Sequence, residues 1–161
     1  MPIYMRIEGI TGTGKGPYAG WIEVESAQLG AHRSISNTAG QGVNREASAP
    51  SVSEIVVSKL ADSASTALYR YMLGGEGKKV IIHFTKPGAA GAPYLAIEME
   101  NVMISSYSMS GSAGNPNGRP MESLSLNFTK ITYSTTPTQS ASNPKAVKDL
   151  SLWNLTVQKG P

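Results

Sequence analysis

The stretch "PYLAIEMENVMISSYSMSG", Pro93–Gly111, decides the fold. Leu95, Ile97 and Met99 alternate with smaller or charged residues, the two-residue period of a strand with one buried face. The alternation resumes in Val102 and Ile104, one residue out of phase. A slip of one turns every later side chain to the opposite face unless the chain absorbs an extra residue. A β-bulge or sharp bend is therefore expected near Glu100–Asn101. Long bent strands suit a barrel better than a flat sheet.

Working outward, the same period marks "IYMRIE", with Ile3, Met5 and Ile7 on one face, and "WIEVESAQLG", with Ile22 and Val24 on one face. "SVSEIVVSKL" (Ser51–Leu60), "KKVIIHFTK" and a long run "MESLSLNFTKITYSTT" read as further strands, and "LSLWNLTV" as a terminal one around Trp153. Between residues 62 and 73 the period changes. Asp62 or Ser63 can cap a helix, Leu68, Tyr69, Met72 and Leu73 form an apolar stripe, and Gly74–Gly75 supplies a left-handed stop. The fold class is all-β, an antiparallel barrel or sandwich with one short helix. With 17 glycines and 10 prolines among short apolar runs, turns are frequent. The segment from Gly30 to Pro50 is polar and patternless, a long loop of the kind that often carries function. No internal repeat or domain boundary interrupts the 161 residues.

Composition narrows the function. Hydrophobic residues make up 40% and charged residues 16%, which suits a folded domain. The formal charge is only +3, and Lys78-Lys79 is the single basic pair, so nothing resembles a nucleic-acid patch. The absence of cysteine removes disulfides, thiolate metal sites and thiol nucleophiles together. The amino terminus alternates like a strand and lacks the charged and apolar regions of a secretory signal. No apolar run reaches the roughly 20 residues that span a bilayer.

The chemical motifs fail on inspection. "GITGTGKG", Gly9–Gly16, fits most of a phosphate-cradling loop, but Gly16 stands where Ser or Thr would bind magnesium, and a strand follows where a helix is needed. It reads as a flexible glycine-rich connection. His32 lies in the long loop. His83 sits on a strand facing away from Ile82 and Phe84, and neither has metal-ligand spacing. "SGSAG" has Ser110 where a nucleophile elbow needs glycine. Glu98 and Glu100 share a strand face without a cleft partner, and the sequons at Asn127 and Asn154 matter only on a secretory route. No catalytic residue, cofactor or metal is expected.

The strands themselves resemble a known family. "GWIEVESAQLG", "SVSEIVVSKLADSASTALYRYMLGG", "YLAIEMENVMISSYSMSG" and "RPMESLSLNFTKITYSTTP" stand in the order of the blocks of the hemolysin-coregulated protein (Hcp) family. Ser58, Lys59, Asp62, Ala64 and Ser65 keep one run of that pattern, and Glu122–Ile131 another. The first loop, "GTGKGPYAG", departs from the charged loop usual there, and the tail 137–161 is variable. The resemblance implies a single tube domain over residues 1–161, built like a phage tail tube. It implies six-membered rings that stack into the tube of a bacterial type VI secretion system. The implied partners are further copies of the chain, a contractile sheath, a spike protein of the valine-glycine-repeat family, and effector proteins chaperoned in the channel. The chain would be cytoplasmic during assembly and then exported without a signal peptide. Gly40, Gln41, Gly42, Val43 and Asn44 are the implied ring-stacking residues. Two other readings are a tube protein of another contractile device and, from a different class, a small barrel enzyme or nucleic-acid-binding module.

Overall fold

A computed structural model describes residues 1–36, 46–87, 93–114, 116, 118–135 and 149–154. The elements run β1 (Ile3–Ile7), a 3-10 turn at Gly16–Tyr18, β2 (Ile22–Val24), β3 (Ser26–Gln28), β4 (Ala31–His32), β5 (Ile35–Ser36), β6 (Glu46–Ala47), β7 (Ser51–Val52) and β8 (Ile55–Leu60). Then come α1 (Ser65–Gly74), β9 (Lys78–Thr85), β10 (Pro93–Ser110), β11 (Met121–Asn127), β12 (Lys130–Thr135) and β13 (Asp149–Asn154).

The bend in β10 builds the barrel. The strand pairs with β9 as far as Val102 on one side and with β12 as far as Glu100 on the other; from Met103 onward it pairs with β11. Its register against β9 shifts between Met99 and Val102, where the sequence pattern slips. Asn101 absorbs the extra residue at φ +52, a left-handed conformation that asparagine tolerates better than most residues. Ile97, Met99, Val102 and Ile104 consequently all face the core.

A second crossing closes the structure. "WIEVESAQLG" is not one strand of one sheet: β2 pairs with β1, whereas β3 pairs with β8. The Glu25 N–H donates to the Ser58 carbonyl at 2.8 Å, at the point of transfer. The strand circuit therefore runs β10–β9–β1–β2/β3–β8–β11 and back to β10, antiparallel throughout. "MESLSLNFTKITYSTT" likewise divides, into β11 in the second sheet and β12 in the first, where β13 pairs with it. Phe128, buried between the two strands, marks the corner. Met5, Ile7, Ile22, Ile55, Ile82 and Leu124 fill the interior.

Helix α1 differs from expectation in three ways. It begins at Ser65, because the Asp62 carboxylate accepts the Ala64 N–H at 2.9 Å, forming the turn before the helix and not a cap within it. Its buried face is Leu68 and Tyr71, and the Tyr71 hydroxyl donates to the Val102 carbonyl at the β10 bend. Tyr69 and Leu73, read as part of the packed stripe, are 50% and 65% exposed. Gly75 has φ −78 and no left-handed conformation. It is required because a Cβ there would lie 1.9 Å from the Tyr71 ring.

The segment from Gly30 to Pro50 is not patternless at its base. β4 pairs with β7 and β5 with β6, so both ends run out together as a hairpin arm. Ser53 and Gly30 exchange backbone and side-chain hydrogen bonds at its root, and the Ser48 N–H donates to the Ser34 carbonyl at 2.9 Å. The implied stacking residues Gly40–Asn44 lie outside the described residues.

Candidate functional site

The loop Gly9–Gly16 is held, not loose. The Gly12 N–H donates to the Gly20 carbonyl and the Gly14 N–H to the Trp21 carbonyl, each at 2.8 Å. A Cβ at Gly12 would sit 2.3 Å from the Trp21 oxygen, and one at Gly14 2.3 Å from the Tyr18 oxygen. These glycines therefore allow two backbone segments to touch; they do not cradle a phosphate. Pro17 helps close the 3-10 turn, and Lys15 points into solvent. The turn presses Tyr18 flat on Tyr4, with ring centroids 4.2 Å apart. Trp21 packs edge-on to Tyr18 and 4.7 Å from the His83 ring. The Tyr18 hydroxyl lies 3.2 Å from His83 Nδ1. Burial, then the neighbouring Tyr4, raises the Tyr18 pKa and keeps it neutral. His83 is thus a packing residue within an aromatic cluster.

The main polar constellation was missed by sequence reasoning. Lys59 on β8 is fully buried. Its ammonium donates to Asp62 Oδ1 and Glu122 Oε2 at 2.9 Å and to the Leu60 carbonyl at 2.8 Å, so all three protons are used. Glu122 on β11, also fully buried, accepts the Tyr107 hydroxyl at 2.6 Å. Burial pushes the Glu122 carboxyl up, but hydrogen bonds from Tyr107, Lys59 and Ser65 and the lysine charge outweigh it, and the pKa falls below the usual carboxylate value. Burial and the bond to Glu122 push Tyr107 up to about 12. The sequence did hold a signal. Lys59 stands in phase with Ile55 and Val57, and Glu122 with Leu124 and Leu126, so a charge occupies the buried phase of each strand.

A concavity of about 720 Å³ lies above this knot, walled by Thr66, Tyr69, Tyr107 and Met109. Its carboxylates are already committed to the lysine, and no histidine lines it to activate the Ser65 or Thr66 hydroxyl. Among the described residues no group of three or more His, Asp or Glu could hold a metal ion, and no helix is long and apolar enough to cross a membrane. Glu98 and Glu100 are bridged to Lys79 and Lys130 at 3.2 and 3.3 Å on the outer face of the first sheet.

The two outer sheet faces differ in chemistry. The first carries Arg6, Glu8, Glu23 and the bridged pairs just named. On the second, register places Ser26, Ser58, Ser123 and Ser108 side by side across four strands. The next row is Gln28, Val56, Ser125 and Ser106, and beyond the serine row on its other side lie Leu60, Met121 and Ser110. Neighbouring hydroxyls bond to each other, Ser26 to Ser58 at 2.6 Å and Ser106 to Ser125 at 2.8 Å. At the border, Glu54 accepts from Ser105 at 2.8 Å and Asn127 at 3.2 Å.

The family described as "Type VI secretion system effector, Hcp" matches residues 4–134. No curated protein sequence matches. Among solved structures, "a type six secretion system protein" aligns with TM-score 0.86 and 23% identity over 99% of both chains. Hcp1 from Salmonella typhimurium aligns at 0.78 and 21%, covering 99% of this chain and 98% of its own. A type VI secretion system effector from Yersinia pestis aligns at 0.65 and 24%, over 94% and 98%. At these identities the likeness speaks for the fold.

Proposed function

The chain belongs to the Hcp family of type VI secretion proteins, a structural and non-enzymatic family, and from that premise we propose that it is a tube component that assembles into stacked six-membered rings. The observation that carries the reading is the family match over residues 4–134, the span that contains the closed barrel and its projecting arm. A barrel that is complete in itself can repeat around an axis, because a heterologous contact closing at sixfold rotation gives a ring without altering the subunit. The arm from Gly30 to Val52 suits contact between rings: it leaves the barrel on paired strands, and Ile35 is 51% exposed on it. Gly40–Asn44, which lies between β5 and β6 in sequence, is the proposed stacking element.

In this reading the tube carries effector proteins in its channel, lies within a contractile sheath beneath a spike of the valine-glycine-repeat family, and passes from cytoplasm to target by direct export. Native mass spectrometry of the purified chain tests the first step. A dominant mass of six subunits is expected, with annular particles by negative-stain imaging. A clean monomer at high concentration would overturn the proposal.

A further inference from the structure

The glycine-rich loop encloses a second concavity. Tyr4, Arg6 and Glu8 of β1 point outward, because Met5 and Ile7 between them are buried. After Glu8 the chain turns at Gly9, with φ +78, and the loop runs back across this outer face, where Tyr18 stacks on Tyr4. A space of about 630 Å³ remains between loop and sheet. Small-ligand sites fall in the range of about 300–1,000 Å³. Ile10, Trp21 and Ile81 give the cavity apolar walls, and Arg6, Glu8 and Lys79 are its ionisable groups. The walls are already in place. Trp21 is braced by the Tyr18 and His83 rings, at 5.1 and 4.7 Å between centroids, and the Gly12–Gly20 hydrogen bond of 2.8 Å fixes the loop. Binding there costs little reorganisation.

The charges are unequally spent. Lys79 is bridged to Glu98 at 3.2 Å. Arg6 and Glu8 have neither a side-chain hydrogen bond nor an ion pair among the described residues. They lie two positions apart on one strand face, roughly 7 Å between Cα atoms. One free cation and one free anion therefore border the same apolar wall. We infer that this cavity binds an apolar α-amino acid as its zwitterion, with the carboxylate on Arg6, the ammonium on Glu8 and the side chain against Trp21 and Ile81. The inference is independent of ring assembly. A guanidinium fork matches a carboxylate through two parallel hydrogen bonds. A simple anion is repelled by Glu8, and a simple cation by Arg6. A polyphosphate needs several free cations, and the lining offers one. A neutral apolar molecule would cover the walls and leave both charges without partners. In the empty cavity Arg6 and Glu8 gain little from each other, since exposed ion pairs are weak. A ligand that excludes water between them strengthens both contacts.

Saturation-transfer NMR on the intact purified protein tests this, with L-phenylalanine, N-acetyl-L-phenylalanine and L-phenylalaninamide as probes, at about pH 6 so that the free amines are protonated. Phenylalanine should bind at roughly millimolar concentration, the ordinary range for so small a ligand on a partly open site. Removing the ammonium, as in the acetyl compound, or the carboxylate, as in the amide, should each weaken binding about tenfold. Glu8→Gln should bring phenylalanine down to the level of the acetyl compound, and Arg6→Gln down to the level of the amide. Both positions are exposed, so both variants are expected to fold. Lys79→Gln should change the affinity by less than about twofold, because that lysine is already paired. Equal binding of all the probes, an acetyl compound as tight as phenylalanine, or dependences that survive in Arg6→Gln and Glu8→Gln would overturn the inference. So would the absence of any saturation of phenylalanine by the native protein. None of these results touches assembly, which native mass spectrometry reads separately.

Discussion

Replacing Lys59 by methionine tests whether the buried knot holds α1 and the second sheet together. Methionine nearly conserves volume but removes the charge that answers Glu122 and Asp62, whose side chains are 0% and 4% exposed. Removing one partner of a buried pair leaves an uncompensated charge and costs about 3–5 kcal/mol. Against a typical total of roughly 5–15 kcal/mol that is a large share. For a chain of this length it corresponds to a fall in Tm of roughly 6–20 °C. Urea titration followed by tryptophan fluorescence, at one fixed protein concentration so that assembly contributes equally, measures it. The double variant Lys59→Met/Glu122→Gln should recover part of the loss, because it leaves fewer unanswered charges. The pH profile gives an independent check. The folded-state pKa of Glu122 is lowered, so its contribution to stability is complete above the unfolded value, about 4.3, and is lost as pH falls through the folded value. Without the lysine, burial is less opposed and the pKa rises, so protonation of Glu122 removes less stability, and the gap between the native chain and the variant narrows as pH falls. A single variant within about 1 kcal/mol of the native chain, or a double variant no better than the single, would refute the argument.

Five other outcomes are expected. Gly12→Ala and Gly75→Ala should each lose about 1–3 kcal/mol in the same titration, since a Cβ meets the Trp21 carbonyl at 2.3 Å or the Tyr71 ring at 1.9 Å. Gly74→Ala, with nothing within 4 Å of the added Cβ, should be neutral or gain up to about 1 kcal/mol. Tyr107→Phe should cost about 1.5–3 kcal/mol by loss of a bond to a carboxylate. It should also abolish a phenolate absorbance step near 12; because that pKa is raised, the tyrosine's contribution is whole below its unfolded value, about 10, and disappears as pH rises through about 12. Deleting Gln41–Asn44 should leave single rings by native mass spectrometry while stacked tubes vanish from electron micrographs. Lys15→Ala should leave ring yield unchanged, and neither form should retain a fluorescent ATP analogue, because Gly12 and Gly14 spend their N–H groups on the chain's own backbone.

The expected β-bulge near Glu100–Asn101 was legible because burial on one face forces a two-residue period, and a slip in that period has few structural remedies. The strands β1, β8 and β9 were legible for the same reason. In "MESLSLNFTKITYSTT" a similar slip separates Phe128 from Ile131 and Tyr133, but the assignment of the two halves to different sheets was not legible, because it depends on which distant strand each half pairs with. The outer face of α1 was misjudged: three- and four-residue spacing marks Leu68, Tyr69, Met72 and Leu73 alike, and only the position of β10 selects Leu68 and Tyr71. The glycine-rich loop was taken for a flexible link because composition does not show that Gly12 and Gly14 lie against Trp21 and Tyr18. Lys59 and Glu122 could have been noticed as charges in buried phases. Their pairing joins residues 63 positions apart, a distance that local pattern does not span. Local periodicity alone determined that this chain is an antiparallel β protein with a bent central strand and one helix, since each of those properties depends on near neighbours. The closure of the barrel at Glu25 and Asn101, the satisfaction of a buried lysine, and the gathering of scattered serines into one uncharged face were decided by tertiary structure, because each depends on which distant strand lies alongside.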